Sequence, residues 1–157
     1  MYSFTLLVVS ASKPGPWKDL AQEYQTRLTP YAKCKLIEIP QAVFSSAAER
    51  QKVQAQEAEV LRKSISKGAY TVACDERGKF FTSTQFAQQL KTWSEQETRN
   101  ITFLLGGPLG LQPALVQTVQ AKLALSSFTF PHDLARVVLL EQLYRAMTIL
   151  KGKTYHY

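Results

Sequence analysis

Residues 101–110 read Ile-Thr-Phe-Leu-Leu-Gly-Gly-Pro-Leu-Gly, an apolar run that ends abruptly in a glycine-rich segment. The first five residues have the length and the β-branched and aromatic content of a buried strand. Pro113 follows at a position that suits the first turn of a helix. A strand, a glycine-rich turn and a helix in this order place 106–110 at the carboxyl end of a strand, where open parallel sheets bind their ligands.

Segment 106–110 allows two interpretations. Glycines let a backbone approach a ligand closely, and the amides at the start of the next helix can meet negative groups. The segment is neither G-x-G-x-x-G nor a P-loop, since Pro108 stands in place of a glycine and no Gly-Lys-Ser/Thr follows. Between Asn100 and His132 the only formally charged residue is Lys122, which suits either a core or a site that grips a heterocycle through its backbone. A tight turn without a ligand is therefore the alternative.

Strands and helices alternate along the whole chain. Strands are predicted at 2–9, 35–39, 69–74 and 101–105, with a polar turn at 75–79. Helices are predicted at 16–28, 46–67, 82–93, 113–122 and 133–150. Ser46 with Glu49 and Thr82 with Gln85 have the spacing of capping boxes at two of these helix starts. This alternation, without a linker or an internal repeat, predicts a single α/β domain over residues 1–157 with a mostly parallel sheet.

The composition is that of a globular protein. Of the 157 residues, 45% are hydrophobic and 20% are charged, and an aromatic content of 11% argues against disorder. No apolar stretch approaches the roughly 20 residues of a membrane span. Residues 1–9 lack the basic start of a signal peptide. We therefore expect a cytoplasmic protein without a membrane partner.

The balance of charge is basic. Nineteen Lys and Arg against 12 Asp and Glu give a net charge of +7. Such a balance favours polyanionic partners such as nucleic acid, although a basic surface that only aids solubility is equally open. Cys34 and Cys74 form no CxxC pair, and His132 and His156 are the only histidines, so no metal site is expected.

The helix predicted at 133–150 is apolar around most of its circumference, because 12 of its last 17 residues are apolar. In so short a chain, a subunit interface is a natural way to bury such a helix. Glu141 and Arg145 are spaced i,i+4, which by itself predicts an ion pair on the helix surface. The tail 151–157 adds two lysines and three aromatic rings, which suit RNA binding unless the tail is a frayed terminus.

Four motifs occur in order at fitting spacings, and together they identify a family. They are Leu-Leu-Gly-Gly-Pro-Leu-Gly-Leu at 104–111, Thr-Phe-Pro-His at 129–132, Leu-Glu-Gln-Leu-Tyr-Arg-Ala at 140–146 and Tyr-His at 155–156. Over essentially the whole chain, the sequence resembles the bacterial large-subunit rRNA pseudouridine N3-methyltransferases of the SPOUT superfamily. The Leu-Tyr-Arg-Ala motif combined with the Gly-Gly loop is specific, whereas either alone would be weak.

The resemblance implies an α/β fold with a deep C-terminal trefoil knot, a homodimer, and S-adenosyl-L-methionine held in the knot loops. The implied reaction is methyl transfer to N3 of a pseudouridine in the helix 69 loop of 23S rRNA, with the assembled ribosome as substrate. Carried over position by position, the cofactor contacts fall on Cys74, Gly106, Gly107, Leu125, Ser126, Ser127, Phe128, Thr129 and Phe130.

The implied reaction needs a base or a water relay, because N3 of pseudouridine bears a proton that must leave. His156 is the first candidate, since an unperturbed imidazole has a pKa of about 6.5. His132 and Glu141 are second choices. Tyr155 is suited to orient or stack the nucleobase, and Arg145 of the Leu-Tyr-Arg-Ala motif completes the candidate catalytic set.

Three positions depart from the family pattern. Cys74 stands where leucine is usual, which preserves an apolar contact, and Leu109 replaces a common acidic residue. The chain ends in Tyr157 where family tails continue with arginine. If that arginine grips the RNA, then Lys151, Lys153 or a residue of a partner subunit takes its place.

Two other functions are open at this point. A SPOUT methyltransferase that acts on tRNA or on another rRNA site would share the cofactor chemistry. A non-catalytic ribosome-binding factor would keep the fold and would not need to bind S-adenosylmethionine.

Overall fold

The computed structural model describes residues 1–10, 13–96 and 100–155. Within these residues the centre is a five-stranded sheet whose neighbouring strands all run parallel. The predicted α/β class with a parallel sheet is confirmed. The strands are β1 (Tyr2–Ser10), β2 (Ala32–Pro40), β3 (Tyr70–Lys79), β4 (Asn100–Leu105) and β5 (Ala121–Leu123), in the spatial order β2-β1-β4-β3-β5.

Helices connect the strands, and their starts follow from local sequence. Both predicted capping boxes are present, Ser46 with Glu49 and Thr82 with Gln85, so each helix start satisfies its own free amides. A 3-10 turn at Ala47–Glu49 leads into the second helix. The α-helices are α1 (Pro16–Leu28), α2 (Arg50–Ser64), α3 (Ser83–Ser94), α4 (Pro113–Thr118) and α5 (His132–Leu150).

Three predicted segments differ from the structure. Residues 75–79 are not a free polar turn, because β3 continues through them. The helix predicted at 113–122 ends early, and its last residues form β5 beside β3, a pairing that local sequence does not reveal. The helix predicted at 46–67 also ends early, where Ile65 adopts extended backbone.

Alternate residues of β1 divide the core into two layers, as the two-residue period of a strand requires. Phe4, Leu6 and Val8 belong to the cluster that the sheet forms with α1, α3 and α5. Leu7 and Val9 belong to the cluster on the opposite face, with α2 and α4. All five side chains are at most 1% exposed, so β1 is buried on both faces, as a central parallel strand should be.

β5 passes so close to the end of β3 that no side chain fits between the two segments. A Cβ atom at Gly78 would lie 2.7 Å from backbone atoms of Leu123 and Lys122. The amide of Ala124 donates to the carbonyl of Lys79 at 3.0 Å. The two segments are therefore held together backbone to backbone.

α5 is buried within its own chain on two sides. Leu139, Leu140 and Leu143 are fully buried, and the helix packs against α1, α3 and the sheet. A subunit interface is therefore not required to bury most of this helix. Leu134 and Val138 are still only partly buried, and the homodimer stays a prediction. Neither α5 nor any other helix within the described ranges is long and apolar enough to cross a membrane.

The backbone contact at Gly78 generates the first prediction. Gly78→Ala is expected to lower the free energy of unfolding by about 1–3 kcal/mol, because the new methyl group must push two backbone segments apart. Urea denaturation followed by circular dichroism measures the change. Glu76→Ala, at an exposed neighbouring position, is the matched control and should change stability by less than about 0.5 kcal/mol. Equal stability of the two variants would show that these segments do not touch.

Candidate active site

The carboxyl ends of three strands meet at one cavity. Cys74 of β3 is paired in register with Leu105 of β4 and with Leu123 of β5. The cavity beyond these residues has a volume of about 960 Å³, at the upper end of the range for small-molecule sites. Its wall consists mainly of the loops 106–110 and 125–131 and of the end of β3.

The residues predicted to contact a cofactor all lie in this wall, although they come from three separate parts of the sequence. Parallel strands bring their carboxyl ends to one edge of a sheet, and this topology gathers the loops that follow them. The nine residues that line the cavity as predicted are Cys74, Gly106, Gly107, Leu125, Ser126, Ser127, Phe128, Thr129 and Phe130.

Loop 106–110 doubles back on itself, and glycine is needed where it does so. A Cβ atom at Gly106 would lie 2.7 Å from the carbonyl carbon of Gly110 and 2.8 Å from the nitrogen of Leu111. The amide of Gly110 donates to the carbonyl of Gly107 at 3.0 Å and closes the turn. Gly110 has a φ of +80°, a conformation that side chains disfavour.

Gly107 packs against β1 on the side where a side chain would project. A Cβ atom there would lie 3.0 Å from Cγ1 of Val9 and 3.8 Å from Oε1 of Glu57. A branched residue at this position would therefore push the loop away from the sheet. The two interpretations of this segment are compatible, because it is a tight strand-to-helix turn that also forms a cavity wall.

The loop from Leu125 to Phe130 carries an exposed aromatic ring at the cavity mouth. Phe128 is 80% exposed, and its amide donates to Oγ of Ser126 at 2.9 Å, which holds the loop in a local turn. Leu125 is half-buried beside the core. The loop thus presents backbone groups and apolar surface to the cavity rather than charge.

Burial keeps the Cys74 thiol neutral. Burial, together with the neighbouring Asp75 carboxylate, raises the pKa of Cys74 to about 12. A thiol with this pKa is protonated at neutral pH and behaves as a small apolar group. The predicted apolar contact at this position is therefore consistent with its surroundings.

The cavity wall contains charged residues from segment 75–79, for which the sequence predicts only a polar turn. Asp75 accepts two hydrogen bonds from the Arg77 side chain, at 2.9 Å from Nε and 3.0 Å from Nη2, and a third from the Arg77 amide at 2.9 Å. This fork holds the pKa of the Asp75 carboxyl below its usual range. Polar residues directly after a parallel strand were a signal that should have placed them at the site. Glu76, Arg50 and Gln54 also line the wall.

His132 is the one predicted catalytic residue that lines the cavity within the described part of the chain. It is the first residue of α5 and is half-buried. Its Nε2 lies 3.8 Å from Oδ1 of Asp133, an ion-pair distance when the ring is protonated. The start of α5 thus brings the His132 imidazole to the cavity.

Three other catalytic candidates form a compact cluster elsewhere. Arg145 donates to Oε1 of Glu141 from Nη2 at 2.6 Å and from Nε at 3.0 Å, so the predicted i,i+4 ion pair is present. The Tyr155 hydroxyl donates to the same carboxylate oxygen at 3.3 Å. The centres of the Tyr155 and Tyr144 rings lie 4.7 Å apart. The Arg145 guanidinium lies 4.8 Å from the centre of the Tyr155 ring. The chain is therefore packed, not frayed, as far as Tyr155.

This cluster lies apart from the cavity of its own chain, so the structure divides the predicted catalytic set between two places, and the catalytic roles stay predictions. Glu141, Arg145 and Tyr155 do not line the cavity, whereas His132 does. Glu141, to which Tyr155 donates, lies nine residues after His132 in α5, or about 14 Å along the helix axis. His156, the first candidate for the base, lies outside the described residues.

Comparison with protein families decides the classification. The sequence profile of a family described as "Predicted SPOUT methyltransferase" matches residues 2–156. The chain belongs to the SPOUT methyltransferase family. The resemblance inferred from the four motifs is thereby confirmed at the level of the family.

Relatives of this SPOUT methyltransferase match it over almost their full length. "Ribosomal RNA large subunit methyltransferase H" of Alkaliphilus oremlandii is 39% identical over an alignment of 157 positions, which covers 98% of this chain and 99% of the relative. The protein of the same name from Dinoroseobacter shibae is 40% identical over 152 residues, 97% of each chain. A solved structure of a probable methylase family protein from Haemophilus influenzae is similar in fold, with a TM-score of 0.58 and 13% identity over 99% of this chain and 70% of that one.

Among residues 1–10, 13–96 and 100–155, no group of three or more His, Cys, Asp or Glu side chains is arranged to hold a metal ion.

The pKa values of the two thiols generate the second prediction. Burial raises the pKa of Cys34 as well, to about 12. At pH 8 both cysteines of the native protein are expected to react with iodoacetamide at least about 100-fold more slowly than in the urea-unfolded chain, where thiols titrate near ~8.5. Mass spectrometry of timed samples measures the rates. Rapid native labelling of Cys74 would mean that its thiolate is populated, contrary to its neutral assignment.

Proposed function

We propose that this SPOUT methyltransferase transfers a methyl group from S-adenosylmethionine to N3 of a pseudouridine in the helix 69 loop of 23S rRNA, in the assembled ribosome. The observation that carries the proposal is that all nine positions predicted to hold the cofactor line one cavity at the carboxyl edge of the sheet. The names of the relatives support an rRNA substrate. The net charge of +7 suits a polyanionic partner.

The cavity wall fits S-adenosylmethionine chemically. Leu105, Leu123 and Leu125 offer apolar contact to an adenine ring, and the backbone of 125–130 offers hydrogen bonds to its edge. The volume of about 960 Å³ leaves room for a nucleobase beside the cofactor. When bound, the cofactor supplies a methyl group already activated by its sulfonium, so the main task of the protein is to orient the two reactants.

The neutral thiol of Cys74 suits this chemistry. A thiolate beside a sulfonium would compete with the nucleobase as a methyl acceptor. Because the pKa of Cys74 is raised to about 12, its sulfur stays protonated and packs as an apolar group.

The proton on N3 of the pseudouridine must be removed by a base. The surroundings of the candidate residues indicate which of them can accept this proton. The pKa of Tyr155 is raised to about 12, mainly because the phenol is partly buried. The phenol therefore stays protonated and is suited to orient the nucleobase rather than to accept its proton. The Glu141 carboxylate is engaged by Arg145. His156 is proposed as the base, with His132 at the cavity as the second candidate.

A homodimer would reunite the two halves of the proposed site. His132 lies at one end of α5, while Arg145 and Tyr155 lie toward the other. Two copies related by a two-fold axis, with α5 antiparallel to its counterpart, would bring the tail of one protomer to the cavity of its partner. A groove of about 210 Å³ beside Leu125, lined by apolar side chains such as Val138 of α5 and also by Ser83 and Gln142, offers surface for such a contact.

The trefoil knot is proposed from the family resemblance. The close passage of Leu123 along Gly78 supports it, because β5 and the chain after it are held against the end of β3. The cofactor loops would then be two neighbouring parts of one knot.

The separation along α5 generates the third prediction. Sedimentation velocity at micromolar concentration is expected to show a dimer of the 17.7 kDa chain. The site needs the tail of a partner, so dissociation on dilution should reduce turnover in parallel. A clean monomer that methylates ribosomes at full rate would contradict the shared site.

The proposed function generates the fourth prediction. With methyl-labelled cofactor, the protein is expected to label 23S rRNA in ribosomes that lack the modification, at one pseudouridine. His156→Ala should lower turnover by about 10²–10⁴-fold if its imidazole is the base, while calorimetry shows unchanged binding of S-adenosylmethionine.

His132→Ala is the matched histidine control for that experiment. If His132→Ala loses turnover and His156→Ala does not, the base is assigned to the wrong histidine. Label on tRNA or at another rRNA position would refute the substrate, and an absence of cofactor binding would leave a non-catalytic ribosome-binding factor.

A further inference from the structure

Gln54 connects the glycine loop to α2 through one buried hydrogen bond. Its Nε2 donates to the carbonyl oxygen of Leu109 at 2.8 Å, and the residue is only 7% exposed. The two residues are 55 positions apart in sequence. Leu109 belongs to the turn between Gly107 and Gly110, outside any helix or strand. Through the carbonyl of Leu109, the helix α2 thus holds the irregular loop 106–110.

The other contact of this carbonyl is weaker. Nη1 of Arg50 approaches the Leu109 oxygen only to 3.5 Å, and Arg50 is exposed to solvent. Hydrogen bonds of this length contribute little, especially where water competes. Gln54 therefore carries most of the connection.

α2 is a firm support for this contact. Val53, Ala58 and Leu61 are at most 2% exposed and fix the helix on the sheet. Glu57 lies on the same face as Gln54, is also buried, and accepts a hydrogen bond from the Ala42 amide at 3.1 Å. Oε1 of Glu57 stands 3.8 Å from where a Cβ atom of Gly107 would be. One helix face thus supports the loop at its beginning and at its end.

The loop has little rigidity of its own. Three of the five residues in 106–110 are glycines, which populate many backbone conformations at similar free energy. If only a fraction of molecules holds the binding conformation, the apparent Kd of a ligand rises by the reciprocal of that fraction. An external contact that selects one loop conformation therefore raises affinity without touching the ligand.

We propose that Gln54 is a positioning residue that holds loop 106–110 in the conformation that binds the cofactor. The inference rests on the proposed function, since it takes S-adenosylmethionine as the ligand of the cavity. Gln54 acts through the Leu109 carbonyl and the turn that this carbonyl fixes.

Gln54→Met tests the proposal, because it keeps the length of the side chain and removes the donor. Calorimetry is expected to show a Kd for S-adenosylmethionine about 5–30-fold higher than in the wild type, the effect of losing about 1–2 kcal/mol of loop stabilisation. With ribosomes, the KM for the cofactor should rise similarly while kcat at saturation stays close to the wild-type value.

Gln56→Met is the matched control, because Gln56 is an exposed glutamine on the same helix. It should leave the affinity unchanged. Hydrogen exchange of the Gly110 amide without cofactor is a readout independent of ligand and activity, and it should be faster in Gln54→Met than in Gln56→Met. A purely structural role would lower the melting temperature and leave the affinity of the folded protein unchanged.

The outcomes separate this inference from the proposed function. If wild type binds S-adenosylmethionine and Gln54→Met binds equally well, Gln54 has no positioning role. If wild type does not bind at all, the proposed function fails, and unchanged Gly110 exchange would then refute the contact. Should Gln54→Met not fold, Gln54→Lys, which keeps a donor, is expected to bind more tightly than Gln54→Glu, which does not; equal affinities would overturn the proposal.

Discussion

Backbone packed directly against backbone at the carboxyl edge of the sheet is the constraint on which the rest of the structure depends. Gly78 meets Leu123, and Gly106 meets Gly110 and Leu111, at distances that leave no room for a Cβ atom. These contacts let β3, β4 and β5 end side by side, so that the loops after them converge on one cavity. Since glycine and apolar residues dominate the loops 106–110 and 125–130, that part of the wall offers backbone groups and apolar surface, whereas the charged side chains of the wall come from the end of β3 and from α2.

A cavity built from loops needs support from regular elements, and each loop receives it differently. α2 holds the glycine loop from behind through Gln54, with Glu57 close to Gly107. The end of β3 is stiffened by the Asp75–Arg77 fork. These supports come from parts of the chain that carry no recognised motif. We therefore expect the affinity for a ligand in this site to depend on how firmly these supports hold the loops.

α5 carries two separate groups of candidate catalytic residues. Its first turn brings His132 to the cavity, and its middle turns hold the cluster of Glu141, Arg145 and Tyr155, which begins about 14 Å further along the helix axis. The i,i+4 pair and the packed aromatic ring keep this cluster ordered, with the phenol of Tyr155 protonated. A helix that separates the two groups in one chain is also the element that would bring them together between two antiparallel copies.

The sequence by itself determined the α/β class, the parallel sheet, both capping boxes, the glycine loop and the family, because apolar periodicity, turn residues and motifs are properties of neighbouring residues. The family resemblance also pointed to nine of the residues that line the cavity. Only the tertiary structure decided that residues 121–123 form β5, that Arg77 and Gln54 belong to the wall, and that Tyr155 packs on α5 and does not line the cavity of its own chain. Each of these depends on contacts between residues far apart in the chain, and such pairings leave no local periodic pattern.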